Sequence, residues 1–286
     1  MTAIETKGLT KYYGKNRGIE GISISVSEGE IYGFIGPNGA GKSTMIRLLL
    51  GFLFPTSGSA KLLGMDCVRD SHLIKRKVCY VPAEVNFYKD LTIAQMLVYS
   101  DSFYENADRE YTTQLIEKFC LEPNKKMGSL SSGNKKKAAL VAALSPRPRL
   151  LILDEPTSGL DPLMRSVLFE VLQESHEKGA SVFLSSHNLD EVQSLCSRAA
   201  IIREGQIVDV RDVHGLKQVR KVTLRGANMP DVKGEAITPV SRSRGEAVFT
   251  YTGDMKKLAM MIAGMDLHDF LVEDVNISDV FMSYYR

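Results

Sequence analysis

The chain has 286 residues, 44% of them hydrophobic and 24% charged, and its 36 basic and 34 acidic side chains leave a formal net charge of +2. That length is ample for one large domain with a small second one. The near-neutral balance argues against a dedicated nucleic-acid surface, and no apolar run approaches the ~18–20 residues of a membrane helix.

The longest apolar stretches, Leu48–Phe54 and Ala138–Leu144, are far too short to span a bilayer. Met1–Leu9 mixes acid and base around no apolar core, which is not the pattern of a signal peptide. Cys67, Cys79, Cys120 and Cys196 are scattered and form no CxxC pair. They are expected to be reduced, buried thiols of a cytosolic protein, with no zinc site.

Glycine punctuates the first hundred residues. The run Ile22–Val26 alternates apolar and polar residues, as a half-buried strand does. Glu30–Ile35 is read as a strand entering a glycine-rich turn, and Ser43–Phe52 as a helix. From about Ala94 to Leu144 the pattern is mostly helical. Leu150–Leu153, Val182–Leu184 and Ala199–Ile202 are short, wholly apolar runs, the mark of central strands covered on both faces. Strands alternating with helices predict a mainly parallel α/β sheet.

After about Gly215 the style changes. Val219–Arg225 and Ala247–Thr252 alternate, Met255–Ala263 is read as a helix, Phe270–Val272 as a strand and Ser278–Tyr285 as a last helix. The expected organisation is a domain over 1–215 with a helical insertion over about 84–145, followed by a small α+β domain over 216–286.

Five motifs carry the chemistry. Gly36-Pro-Asn38-Gly39-Ala40-Gly41-Lys42-Ser43-Thr44 fits G-x-x-x-x-G-K-[ST] between an apolar strand and a helix. Its glycines let backbone N–H groups turn toward phosphate oxygens, and the helix start adds its positive dipole end. Lys42 is expected on the β- and γ-phosphates and Ser43 on Mg²⁺. Leu150–Leu153 then delivers Asp154 and Glu155 at a strand end. Asp154 is expected to hold Mg²⁺ through water, and Glu155 to polarise the attacking water. Leu130-Ser131-Ser132-Gly133-Asn134 precedes a helical run, Ser158-Gly-Leu-Asp161 follows the acidic pair, and His187 lies just past another apolar strand.

In order and spacing these motifs resemble the ATP-binding subunits of ABC transporters: Walker A, signature, Walker B, D-loop and H-loop. The resemblance covers at least residues 3–212. It implies a P-loop NTPase core with an antiparallel β subdomain and an inserted helical subdomain, using ATP and Mg²⁺. It also implies that Ser131, Ser132, Gly133 and Asp161 complete the site of a second copy of the chain in a head-to-tail dimer. His187 resembles the switch histidine that contacts the γ-phosphate and the attacking water. Tyr13, with Tyr12 as its rival, resembles the aromatic that stacks on adenine. The implied partner is an integral membrane subunit, with the chain peripheral on the cytoplasmic face of the membrane.

Three positions depart from the family pattern. Ser132 stands for a glycine, and Asn134 and Ala83 each stand for a glutamine. Alanine has no side-chain oxygen, so the role of the Q-loop glutamine is vacant or passes to Glu84. Lys135–Lys137 is expected to be a solvated helix face, with contact to a partner or to lipid headgroups as the alternative, and Phe87, Tyr88, Tyr99, Phe103 and Tyr104 mostly core, with one or two lining a groove for the membrane subunit. The C-terminal region, ending Asp279-Val-Phe281, resembles the extra domain of exporters whose ATPase and membrane subunits are separate chains. The cargo class is then a drug, peptide, lipid or polysaccharide. Soluble ABC ATPases acting on ribosomes or DNA resemble tandem or coiled-coil-split cassettes, unlike this single uninterrupted one. A GTP switch would need Asn-Lys-x-Asp, which neither Asn134–Lys137 nor Asn124–Met127 supplies. A degenerate cassette that only binds nucleotide would have no need of Glu155 and His187.

Overall fold

A computed structural model describes residues 1–104, 108–213, 219–227, 234 and 236–274. It divides into two compact units, Met1–Arg211 and Asp212–Arg286.

The first unit opens on a long strand, β1 (Thr2–Tyr13), followed by β2 (Asn16–Ile22) and β3 (Ser25–Ser27), both antiparallel to β1. The alternating run Ile22–Val26 is therefore not one strand. It breaks at Ser23-Ile24, where the Thr6 hydroxyl accepts from the Ile24 N–H and donates to the Ile22 carbonyl, filling in for the backbone ladder. Next come β4 (Ile31–Ile35), α1 (Lys42–Leu49), β5 (Ser57–Leu62), β6 (Met65–Asp66), α2 (Ser71–Ile74) and β7 (Val78–Val81). The insertion holds α3 (Ile93–Asp101), α4 (Arg109–Lys118) and α5 (Ser132–Leu144). Thr92 starts α3 through a capping box with Gln95, Asp108 caps α4, and α3 and α4 pack on α5. The chain returns through β8 (Leu150–Asp154), α6 (Pro162–Glu177), β9 (Ser181–Ser186), α7 (Leu189–Leu195), β10 (Arg198–Arg203) and β11 (Gln206–Asp212).

Two sheets form this unit. One, in the order β2-β1-β5-β6 with β3 also on β1, is antiparallel. The other runs β11-β10-β4-β9-β8-β7, with β10, β4, β9, β8 and β7 pairing in parallel. Every residue of β4, β8 and β9 is buried, as the apolar runs predict for strands covered on both faces. Parallel pairing sends the ends of β4, β7, β8 and β9 out at one edge of the sheet. Residues 36, 82, 155 and 187, far apart in sequence, are thereby gathered together.

The second unit is a sheet in the order β13-β14-β12-β15, built from β12 (Arg220–Arg225), β13 (Ile237–Arg242), β14 (Glu246–Tyr251) and β15 (Asp269–Asp274), all antiparallel, with α8 (Met255–Ala263). Val222, Leu224, Phe249 and Tyr251 pack with Leu258 and Ile262 of α8 as a separate core. The expected helix Ser278–Tyr285, with its Asp-Val-Phe, and the boundary near Gly215 lie outside the described residues.

Among the described residues no helix is long and apolar enough to cross a membrane. Cys67, Cys79 and Cys196 are buried, and burial pushes the Cys67 and Cys79 thiols up to about 12. Cys120 departs from the expectation of four buried thiols. It is exposed, on the turn that leaves α4.

Candidate active site

The loop 36–41 joins β4 to α1 and cannot accept side chains at its ends. A Cβ on Gly36 would lie 2.5 Å from the Ile202 carbonyl oxygen. One on Gly41, at φ 109°, would lie 2.7 Å from the Gly18 carbonyl oxygen. Asn38 and Gly39 are exposed along this loop, Ala40 is buried beneath it, and Thr44 lies in the first turn of α1.

Lys42 is only 6% exposed, and its ammonium donates to the carbonyls of Gly36 (2.6 Å) and Pro37 (3.2 Å). It also lies 3.2 Å from Glu155 Oε1. Ser43 Oγ donates to Asp154 Oδ2 at 2.9 Å, joining the loop to the end of β8. Asp154 Oδ1 accepts from Ser185 on β9.

Glu155 is held in the left-handed region at φ 48°, a conformation that costs a non-glycine residue ~1–3 kcal/mol and persists where surroundings enforce it. Its N–H donates to the Ser185 carbonyl at 3.2 Å and to Ser185 Oγ at 3.3 Å. Its Oε2 accepts from His187 Nδ1 at 2.6 Å. A carboxylate can only accept, so this bond fixes the proton on Nδ1 and leaves Nε2 as the other ring nitrogen. Glu155 Oε1 is buried and accepts no hydrogen bond, although the Lys42 ammonium is close. Lys42, Ser43, Asp154, Glu155 and His187 thus form one connected cluster.

Tyr13 stands at the rim. It is 44% exposed, its hydroxyl is 3.5 Å from Thr44 Oγ1, and its ring covers Gly18, where a Cβ would sit 2.8 Å from Tyr13 Cε2. Tyr12, the rival, spends its hydroxyl on Glu20 Oε1 at 2.8 Å.

The signature residues are apart from this cluster. Ser131 caps α5 by accepting from the Asn134 N–H, while Ser131 and Ser132 are exposed. Gly133 packs so closely on the 158–161 loop that a Cβ would meet the Gly159 carbonyl oxygen at 2.6 Å. Among the described residues none of the three hydrogen-bonds to the phosphate loop. The Asp161 carboxylate caps α6, accepting from the Met164 N–H at 2.9 Å.

Two expectations are corrected. Lys135–Lys137 is not a solvated face, because Lys136 is 3% exposed. From Ala138 to Leu144 the helix is buried on all sides, and Lys136 lies one turn before Leu140 on that packed surface. Its ammonium donates to the carbonyls of Pro82, Ala83 and Glu155. Burial pulls its pKa down to about 8 against the opposing pull of Asp154 and Glu155. Secondly, Tyr88, Tyr99 and Phe103 are not core. They are 63%, 42% and 59% exposed and meet edge-to-face with ring centres 5.9 and 5.1 Å apart. Glu84 is exposed on the bend after β7.

Sequence reasoning missed the serines behind the acids. Ser185 braces Asp154 and Glu155, and Ser186 Oγ donates to buried Glu191, which also accepts from Thr157 Oγ1 at 2.6 Å. The one available signal was the polar end, Ser185-Ser186, of an otherwise apolar strand.

A family model described as "ABC transporter" matches residues 19–158. The Nod factor export ATP-binding protein I of Rhizobium meliloti (strain 1021) is 31% identical over 98% of this chain and 87% of its own. The bacitracin transport ATP-binding protein BcrA of Bacillus licheniformis is 31% identical over 98% of this chain and 85% of its own. A solved structure titled as an ATP-binding subunit of an ABC transporter superposes with a TM-score of 0.71 at 30% identity, over 76% of this chain and 92% of that one. With the glycine-rich loop, the acidic end of β8 and His187 assembled on one sheet edge, the chain belongs to the ABC transporter family as an ATP-binding and ATP-hydrolysing subunit.

Proposed function

We propose that the chain powers export through a separate integral membrane subunit, working head-to-tail with a second copy of itself at the cytoplasmic face of the membrane. The observation that carries this reading is a site in two parts. Lys42, Ser43, Asp154, Glu155 and His187 converge at one sheet edge, whereas Ser131 and Ser132 at the N-terminus of α5 are exposed and make no hydrogen bond to them among the described residues, which leaves that positive helix end for a phosphate held by another copy. Relatives named for Nod factor export and bacitracin transport support export, and cargo of that broad kind, a drug, peptide, lipid or polysaccharide.

In this reading the N–H groups of the 36–44 loop and the Lys42 ammonium hold the phosphates, and Tyr13 stacks on adenine. Ser43 and Asp154, the latter through water, hold Mg²⁺. Their hydroxyl and carboxylate oxygens suit a hard cation and lie 2.9 Å apart. Among the described residues no group of three or more His, Cys, Asp and Glu side chains is placed to hold a metal ion by itself. When bound, the ion neutralises charge developing between the β- and γ-phosphates. Glu155 orients and deprotonates the attacking water. His187 keeps Glu155 in place through Nδ1 and meets water or phosphate with Nε2. Asp161, besides capping α6, places the 158–161 loop at the interface between copies. Residues 1–215 are the ATPase domain, and 216–286 an accessory domain that adds contacts between copies.

The exposed Tyr88–Tyr99–Phe103 cluster in the helical insertion is the surface that receives the membrane subunit. The tagged chain, extracted with detergent from membranes of its own cell, is expected to co-purify with a polytopic membrane protein that raises its ATP turnover. A Tyr99→Ala, Phe103→Ala double variant should lose that protein while keeping its own turnover. Recovery of the wild-type chain with no membrane protein would contradict the reading.

A further inference from the structure

We propose that Lys136 is a positioning residue that ties the signature helix α5 and the loop after β7 to the backbone of Glu155. Its Nζ donates to Pro82 O at 2.8 Å, Ala83 O at 2.8 Å and Glu155 O at 3.3 Å. An ammonium carries three N–H groups, and three carbonyls from two separate loops take all of them. The link does not depend on the side chain at position 83, because it uses that residue's backbone oxygen.

The reason for burying a cation here lies in Glu155. Its left-handed backbone needs restraint on both sides. Ser185 restrains the N–H, while the carbonyl accepts both from the Ser158 N–H of its own turn at 3.2 Å and from the Lys136 ammonium at 3.3 Å, the one bond that ties it to α5. A desolvated lysine is costly unless its charge is matched, and here the carbonyls, with the Asp154 and Glu155 charges nearby, match it. Lys136 lies five residues beyond the Ser131 cap on the same rigid helix. A shift of that helix therefore moves the loop at 82–83 and the Glu155 backbone together.

This inference rests on Glu155 being the base, so Glu155→Gln is run alongside. The full chain is compared with Lys136→Met, which keeps the stem and loses every donor, and with Lys136→Arg, which keeps the charge. Lys136→Gln, a neutral donor, serves if the methionine variant is insoluble. For Lys136→Met, ATP affinity should stay within about threefold of wild type while kcat falls roughly 10–100-fold, a part of the ~10²–10⁴ that a positioned base supplies. Amide exchange over 83–86 should quicken about tenfold and cease to respond to ATP. Lys136→Arg should recover part of kcat. Wild-type kcat and exchange in Lys136→Met would overturn the proposal, as would equal losses in ATP affinity and kcat, which mark general damage. Undiminished turnover in Glu155→Gln would instead remove the base assignment.

Discussion

Replacing Glu155 by glutamine is expected to lower the ATP turnover of the chain by about 10²–10⁴-fold, the contribution of a well-placed general base, while ATP still binds. The amide matches the carboxylate in shape, and its oxygen can still accept from His187 Nδ1, now 2.6 Å from Oε2. The phosphate loop is untouched. What is lost is basicity at the point where water must be aligned for in-line attack. Single-turnover measurements separate this from slow product release: the burst of phosphate should disappear, and bound nucleotide should be recovered as ATP. Turnover within threefold of wild type would place the base elsewhere.

Lys42→Ala should act earlier, on binding. The ammonium is nearly buried and is shared between loop carbonyls and the Glu155 carboxylate. At ~4 Å and an effective dielectric near 20, a cation–phosphate pair is worth about 4 kcal/mol, or close to a thousandfold in affinity. Its removal also leaves Glu155 facing the phosphates without its counter-charge, and like charges repel. Calorimetry should show affinity reduced at least about 100-fold. Unchanged affinity would mean that the loop does not cradle phosphate through this side chain.

Much of the fold was legible because β4, β8, β9 and β10 are buried on both faces and so read as unbroken apolar runs. β1 was not. Its register shifts beside Gly8 and again near Lys11 slip the two-residue alternation, so Thr2–Tyr13 shows no steady pattern despite its length. The Ile22–Val26 run failed for a related reason, since the Thr6 hydroxyl takes up the Ile24 N–H and the Ile22 carbonyl and leaves a single backbone bond, Thr6 N–H to the Ile24 carbonyl, in the gap between β2 and β3. Lys42, Ser43, Asp154, Glu155 and His187 could be grouped from the sequence because each lies at or shortly past the end of β4, β8 or β9, which the parallel sheet aims at one edge. Lys136 could not, because a lysine among lysines reads as surface. Only the carbonyls of Pro82, Ala83 and Glu155, gathered by folding, make it an interior group. The aromatic cluster misled in the opposite direction: composition assigns tyrosine and phenylalanine to a core, and the helical insertion leaves three of them outside.

In the proposed dimer one catalytic site is assembled from two copies of the chain, with the α5 N-terminus of one closing on the nucleotide held by the other. Light scattering on Glu155→Gln across an ATP titration tests it most directly. A monomer is expected without nucleotide, a dimer with Mg²⁺ and ATP, and return to monomer when Ser131→Arg is added to block the helix end without touching the 36–44 loop. A Glu155→Gln chain that is saturated with ATP and remains monomeric, or a dimer indifferent to Ser131→Arg, would contradict it.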